Sequence, residues 1–161
     1  MISETAIQLL IDKLGKENVI TAAEDLLVLG YDSTPGLHAT PDLVVYPTDS
    51  EQVQSVMQVA RDHKVPITPR GSGTGLSGGS IPVDGGIVIC LNKMNKILEI
   101  DEENLTATCQ AGVVTLDLFN AVAHADDTNQ YLLTTWVKWF YNYAPQGSHG
   151  PRSSDWKGLS K

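Results

Sequence analysis

Residues 43–68 spell a strand, a helix and a second strand, and a glycine-rich stretch follows at once. That order confines the chain to a parallel α/β core with a main-chain loop at one end. Leu43-Val44-Val45-Tyr46 is a short β-rich run closed by Pro47. Thr48-Asp49-Ser50-Glu51 then carries a capping-box signature, with Thr48 expected at the N-cap. Behind it Val53, Val56, Met57 and Ala60 recur at helical spacing, which predicts an amphipathic helix to about His63. Val65-Pro66-Ile67-Thr68 reads as the second strand, with Pro66 at its start or on an edge. Two strands joined through a helix should be parallel, with a right-handed crossover.

The stretch that follows, Pro69-Arg70-Gly71-Ser72-Gly73-Thr74-Gly75-Leu76-Ser77-Gly78-Gly79, has five glycines in eleven positions, too many for a mere tight connection. Glycine permits positive φ and removes the Cβ that would keep a ligand at a distance. Successive N–H groups can then converge on an anion such as a diphosphate. In open α/β sheets ligands sit beyond the carboxyl ends of the strands, where this loop lies. Gly73-x-Gly75-x-x-Gly78 satisfies the nicotinamide-binding fingerprint as written, but that motif needs a helix opening at its third glycine. Gly79, Pro82, Gly85 and Gly86 forbid one. A Walker A loop fails too, because no Gly-Lys-Ser/Thr follows. What is left is a loop that binds phosphate from its own main chain and leads into another strand.

The rest of the chain is read more coarsely. Ser3 caps a first helix with Ile7, Leu10, Ile11 and Leu14 on one face, ended by Gly15. Residues 19–41 read as irregular, with a turn over 32–36, and Tyr31 and Asp32 are taken as part of it. Strands are expected at 87–91, 97–101 and 106–111, and Thr115 should cap a helix holding Leu116, Phe119 and Ala123. Cys90 and Cys109 form no CxxC pair and are expected to be small buried hydrophobes. His38, His63, His124 and His149 lack metal-ligand spacing, so no metal site is expected, and Asp101-Glu102-Glu103 reads as an exposed turn. A net charge of −8 disfavours nucleic acid and anionic membrane as partners. No apolar run reaches the roughly 18 residues of a membrane span, and the first residues do not read as a signal peptide, so a cytoplasmic location is expected.

Pro41-Asp42-Leu43-Val44-Val45 with Pro47, the Glu51-x-Val53 helix, Val65-Pro66-Ile67-Thr68 and above all residues 69–79 resemble the FAD-linked oxidases. The resemblance is narrower to the glycolate oxidase D-subunit and D-lactate dehydrogenase branch, and it covers residues 3 to about 123. It implies an α+β (α/β) fold of the vanillyl-alcohol oxidase and p-cresol methylhydroxylase type: a first subdomain with a βαβ unit and the start of a second. It also implies that the main chain of the loop wraps the FAD diphosphate. Carried over, the cofactor residues are Pro69, Arg70, Gly71, Ser72, Gly73, Thr74 and Gly75, with Gly78 and Gly79 close by. Some relatives attach the flavin through a histidine in an Arg-x-Gly-Gly-His loop. Thr74 stands at that position here, so the FAD is expected to be non-covalent. Residues 110–116 are similar to the family's later Pro-Gly-Val segment, with Ala111 for the proline, and place Gly112 at the edge of the flavin site.

After His124 the sequence changes character. Seven of its ten aromatic residues lie there, and the combined Gly-Leu and Pro-Asp-Pro stretch and the Gly-Gly-Asn segment that the resemblance calls for do not. The expectation is a FAD-binding portion at 1–123 and a divergent tail at 124–161, truncated or frame-shifted, with the cap domain and its acid–base groups missing. No catalytic residue is therefore named. Two functions stay open. One is the N-terminal portion of a flavin-dependent 2-hydroxy-acid oxidoreductase, whose full-length relatives pass a hydride from the hydroxyl-bearing carbon to the flavin. The other is a non-catalytic remnant or binding module with weak or no FAD affinity. An unfinished sheet edge also leaves self-association or a partner chain open.

Overall fold

The structure, a computed structural model, describes residues 2–104 and 106–125. The first helix, α1 (Glu4–Leu14), begins where the Ser3 hydroxyl accepts the Ala6 amide at 3.2 Å and ends at Gly15. It buries Ala6, Leu10 and Leu14, with Ile7 and Ile11 half-covered beside them. The stretch read as irregular holds two elements, β1 (Val19–Ile20) and α2 (Ala23–Val28). Both are too short for a periodic signal, so only their pairing and packing define them.

β2 (Leu43–Val45) leads into α3 (Ser50–His63), which starts one residue later than its capping signature suggests. Asp49, not Thr48, is the N-cap: its carboxylate accepts the Gln52 amide at 2.8 Å. Gln52 accepts the Thr48 amide through its side-chain oxygen at 2.9 Å, so Asp49 and Gln52, not Thr48 and Glu51, make the side-chain bonds of the cap. The inward face is also turned: Val56, Val59 and Ala60 are buried, while Met57 is 51% exposed.

β3 (Ile67–Arg70) starts after Pro66, and β4 (Ile87–Cys90) returns to the same sheet. The strand order is β1-β2-β4-β3. The two strands of the βαβ unit are parallel, as expected, but they do not touch, because each pairs in parallel with β4. The reason lies in the side chains. All four residues of β4 are buried, so it fits a place covered on both faces; β3 contains Pro69 and is only half-buried, which suits an edge. β1 closes the other side, antiparallel to β2.

Alternation divides this sheet between two cores. Leu43, Val45, Ile87 and Ile89 face α1 and α3; Val44, Val88 and Cys90 face Leu26 of α2. Each large aliphatic side chain so covered contributes about 1.5–3 kcal/mol of transfer free energy. Beyond a short 3₁₀ turn (Leu91–Lys93), β5 (Ile97–Asp101) and β6 (Thr106–Cys109) form an antiparallel pair under α4 (Thr115–Ala125). α4 holds Leu116, Phe119 and Ala123, as expected. Leu118 and Val122 turn inward onto Ile97, Ile100, Ala107 and Cys109, leaving Leu116 63% and Phe119 42% exposed. Cys90 is buried as expected, and Cys109 is half-buried. Among the described residues no helix is long and apolar enough to cross a membrane.

Candidate functional site

The glycine loop leaves the carboxyl end of β3 and runs without helix or strand to the start of β4. It is the long connection that lets β4 return between β2 and β3. Gly73 and Gly78 have φ of +72° and +71°, a left-handed backbone that side-chain-bearing residues rarely hold. Gly71 and Gly79 serve differently: a Cβ on either would meet nothing within 4 Å, so their open sides face free space. Gly71, Ser72, Thr74 and Gly79 are exposed, and Gly73, Gly75 and Gly78 half-buried.

The hydrogen bonds of the loop are distributed unevenly. Gly78 donates its amide to the Thr34 hydroxyl at 2.7 Å, and Ile81 donates to the Gly78 carbonyl at 3.1 Å. Gly75 accepts the Ser33 amide at 3.0 Å through its carbonyl. For the seven amides from Gly71 to Ser77, no acceptor exists among the described residues. Seven successive main-chain donors at the carboxyl end of a parallel strand are what an anionic group needs in order to be held without a side chain.

Arg70, the last residue of β3, is the cation of this loop. It is buried, and its Nη1 donates to the Tyr31 carbonyl at 2.8 Å. The guanidinium runs beneath Gly73, whose missing Cβ would stand 2.0 Å from Nη2. Arg70 thus carries its charge under the loop rather than out in solvent, where it would be screened. Close by, burial pushes the Tyr46 hydroxyl and the Cys90 thiol above their ordinary values; Cys90 raises Tyr46 further, whereas Tyr46 pulls Cys90 slightly back down. Both stay neutral near pH 7, so the floor of the loop carries Arg70 as its charge.

One partner of the loop was read from the sequence only as a turn. The Asp32 carboxylate accepts the Thr34 amide at 2.8 Å and the Ser80 hydroxyl at 3.2 Å. Burial works to raise its pKa, but these bonds outweigh it and leave the carboxyl below the ordinary value. The Asp-x-Thr spacing did signal an Asx-type turn. Nothing in the order of residues signalled what lies against it more than forty positions later.

Gly112 lies elsewhere, at the end of β6. Its amide donates to the Met94 carbonyl at 2.8 Å, and a Cβ there would stand 1.9 Å from the Leu91 carbonyl oxygen. Its glycine is required by two main chains crossing in contact.

The sequence profile of the FAD binding domain family matches residues 41–132, more than half of the chain. The chain belongs to that family. Within it, the chain is similar to glycolate oxidase subunits and D-lactate dehydrogenases. It is 46% identical over 122 residues to the glycolate oxidase subunit GlcD of Bacillus subtilis, an alignment covering 76% of this chain and 26% of that one. It is 41% identical over 100 residues to the D-2-hydroxyglutarate dehydrogenase of Stutzerimonas stutzeri, covering 62% and 22%. Among solved structures, p-cresol methylhydroxylase with substrate bound superposes with a TM-score of 0.67 at 31% identity, over 75% of this chain and 24% of the other. An alkyldihydroxyacetonephosphate synthase superposes at 0.70 with 21% identity, a likeness of fold. The α+β fold expected from the sequence is therefore that of the p-cresol methylhydroxylase-type FAD-binding domain. The chain spans about a quarter of the length of these curated relatives. The tail expected to diverge, apart from the end of α4, lies outside the described residues.

The residues of the FAD-binding domain fit the cofactor its family name implies. Free amides, glycines open to close approach and a buried guanidinium are the donor set for a diphosphate. The adjacent Ser72 and Thr74 hydroxyls are exposed and have no partner among the described residues.

Proposed function

We propose that the loop of residues 69–79 holds the diphosphate of FAD, non-covalently and chiefly through its main chain. The seven uncommitted amides of Gly71–Ser77 carry the reading. In it Gly71, Gly73 and Gly75 let the backbone approach the phosphates, Ser72 and Thr74 add hydroxyl donors, and Gly78 and Gly79 close the far side. Pro69 and Arg70 set the loop's departure from β3, and the guanidinium offsets phosphate charge from below. Gly112 borders the flavin through its position, since its amide is committed to Met94. Thr74 offers no ring nitrogen for a bond to the flavin, which supports non-covalent attachment.

Residues 1–123 are, in this reading, the cofactor-binding front of a flavoprotein that oxidises a 2-hydroxy acid in the cytoplasm, and 124–161 stand outside that part. The curated relatives named for glycolate, D-lactate and D-2-hydroxyglutarate support the substrate class. Bound flavin would supply the hydride-accepting ring, and the residues seen here would bind and orient it.

The test is flavin uptake by the purified protein. Saturable quenching of FAD fluorescence, followed by release of all the flavin on denaturation, is expected. Flavin that stays with the denatured chain would refute non-covalent attachment. A protein that takes up no added FAD would leave the binding-module reading in its place.

A further inference from the structure

A loop that presents its amides to a ligand has a difficulty built into it. Loops are stiffened by hydrogen bonds, and bonds made by its own amides would use up the donors the ligand needs. Here the stiffening comes from outside. Residues 31–34 touch the loop at its start, middle and end. Tyr31 takes Arg70 Nη1 on its carbonyl at 2.8 Å, Ser33 gives its amide to the Gly75 carbonyl at 3.0 Å, and Thr34 accepts the Gly78 amide at 2.7 Å. Asp32, below Thr34, holds both the Thr34 amide and the Ser80 hydroxyl. Of all these contacts only one consumes a loop amide, that of Gly78; the amides of Gly71–Ser77 are left alone.

The brace is itself closed. Ala39 donates to the Gly30 carbonyl at 2.8 Å, and Tyr31 bridges to His38. Leu37 packs against the far end of the loop, its Cδ2 standing 2.7 Å from where a Cβ on Gly78 would be. None of residues 31–38 belongs to a buried hydrophobic cluster of the described chain. The segment therefore contributes little to the core while being bonded closely to the loop.

From this we infer that Thr34 is a positioning residue for the dinucleotide loop: its hydroxyl pins Gly78, and with the Asp32 turn beneath it fixes the curve on which the free amides are displayed. The inference rests on the diphosphate reading above, and it adds a residue outside the glycine loop to that site. A preorganised loop binds more tightly because less freedom is lost on binding.

Three forms of the protein test it: wild type, Thr34→Val, which keeps the shape and loses the hydroxyl, and Thr34→Ser, which keeps the hydroxyl. Backbone ¹⁵N relaxation without flavin reads the loop directly. In Thr34→Val the order parameters of residues 71–78 should drop from the rigid range near ~0.85 toward ~0.6 or below, and in Thr34→Ser they should stay high. FAD affinity should weaken about fivefold in Thr34→Val, the equivalent of about 1 kcal/mol, and return in Thr34→Ser. Urea unfolding of both variants should stay close to wild type, which separates positioning from loss of fold. A loop as rigid in Thr34→Val as in wild type overturns the inference, as does an affinity loss that Thr34→Ser fails to restore. If wild type takes up no FAD, the diphosphate reading falls on its own, and the relaxation data still decide whether Thr34 holds the loop.

Discussion

Glycine does two separate jobs in this loop, and substituting Gly71 and Gly73 by alanine one at a time should separate them. At Gly73 the new Cβ would stand 2.0 Å from Arg70 Nη2 and 2.4 Å from Cζ, and φ is +72°. The left-handed backbone alone costs about 1–2 kcal/mol for an L-residue. The guanidinium must also withdraw by more than an ångström, which breaks its 2.8 Å bond to the Tyr31 carbonyl. A hydrogen bond from a charged donor is worth about 1.5–3 kcal/mol. Together these give a loss of about 3 kcal/mol, a large share of the roughly 5–15 kcal/mol that holds a domain folded. In urea, with a slope of about 2 kcal/mol per molar, the midpoint should fall by about 1.5 M. At Gly71, by contrast, a Cβ meets nothing within 4 Å and φ is not positive. Stability should change by less than about 0.5 kcal/mol, while FAD affinity should fall, because the methyl group stands where the proposed function puts the phosphate. Circular dichroism in urea and flavin titration read the two effects. Repeating Gly73→Ala in an Arg70→Ala background should bring its cost down to about 1–2 kcal/mol, the backbone part. An undiminished cost there, or a Gly71→Ala protein as unstable as Gly73→Ala, would refute the geometry.

Three further outcomes follow from the same structure. Gly112→Ala sets a methyl group 1.9 Å from the Leu91 carbonyl oxygen, where only backbone movement can relieve it; its urea midpoint should fall at least as far as that of Gly73→Ala, and a neutral result would place the crossing wrongly. Asp49→Ala removes the N-cap of α3 and should cost about 1 kcal/mol in urea, whereas Thr48→Ala should cost clearly less. Asp32 titrates lower in the folded chain than in the unfolded one, so the stability it adds is present above the ordinary carboxylate range and is lost as pH falls through the folded value. The stability gap between wild type and Asp32→Asn, measured by urea at neutral pH and again at acid pH, should therefore shrink on acidification; a widening gap would reverse the sign.

Much of the chemistry was legible from the order of residues because it is local. The free amides of 71–77 follow from the glycines and from the absence of any helix-permitting run after them. α1 and α3 followed from spacing, although Met57 shows the limit of that method. A helix with apolar residues on more than one side does not state which side meets its neighbour. Leu118 and Val122 turned inward because the β5–β6 pair offered them Ile97, Ile100 and Ala107. α2 and β1 carry no periodic signal and exist through what they pack on.

By itself the sequence determined the strand–helix–strand unit and the glycine-rich loop that ends it, since each depends on residues within a few positions of one another. Only the tertiary structure decided that β4 enters between β2 and β3, that Arg70 is drawn under the loop, and that Asp32 and Thr34 hold the loop's far end. Those outcomes join segments some twenty to forty-eight residues apart. A bond between such distant segments forms because the rest of the fold has already brought them together, and no short stretch of sequence records it.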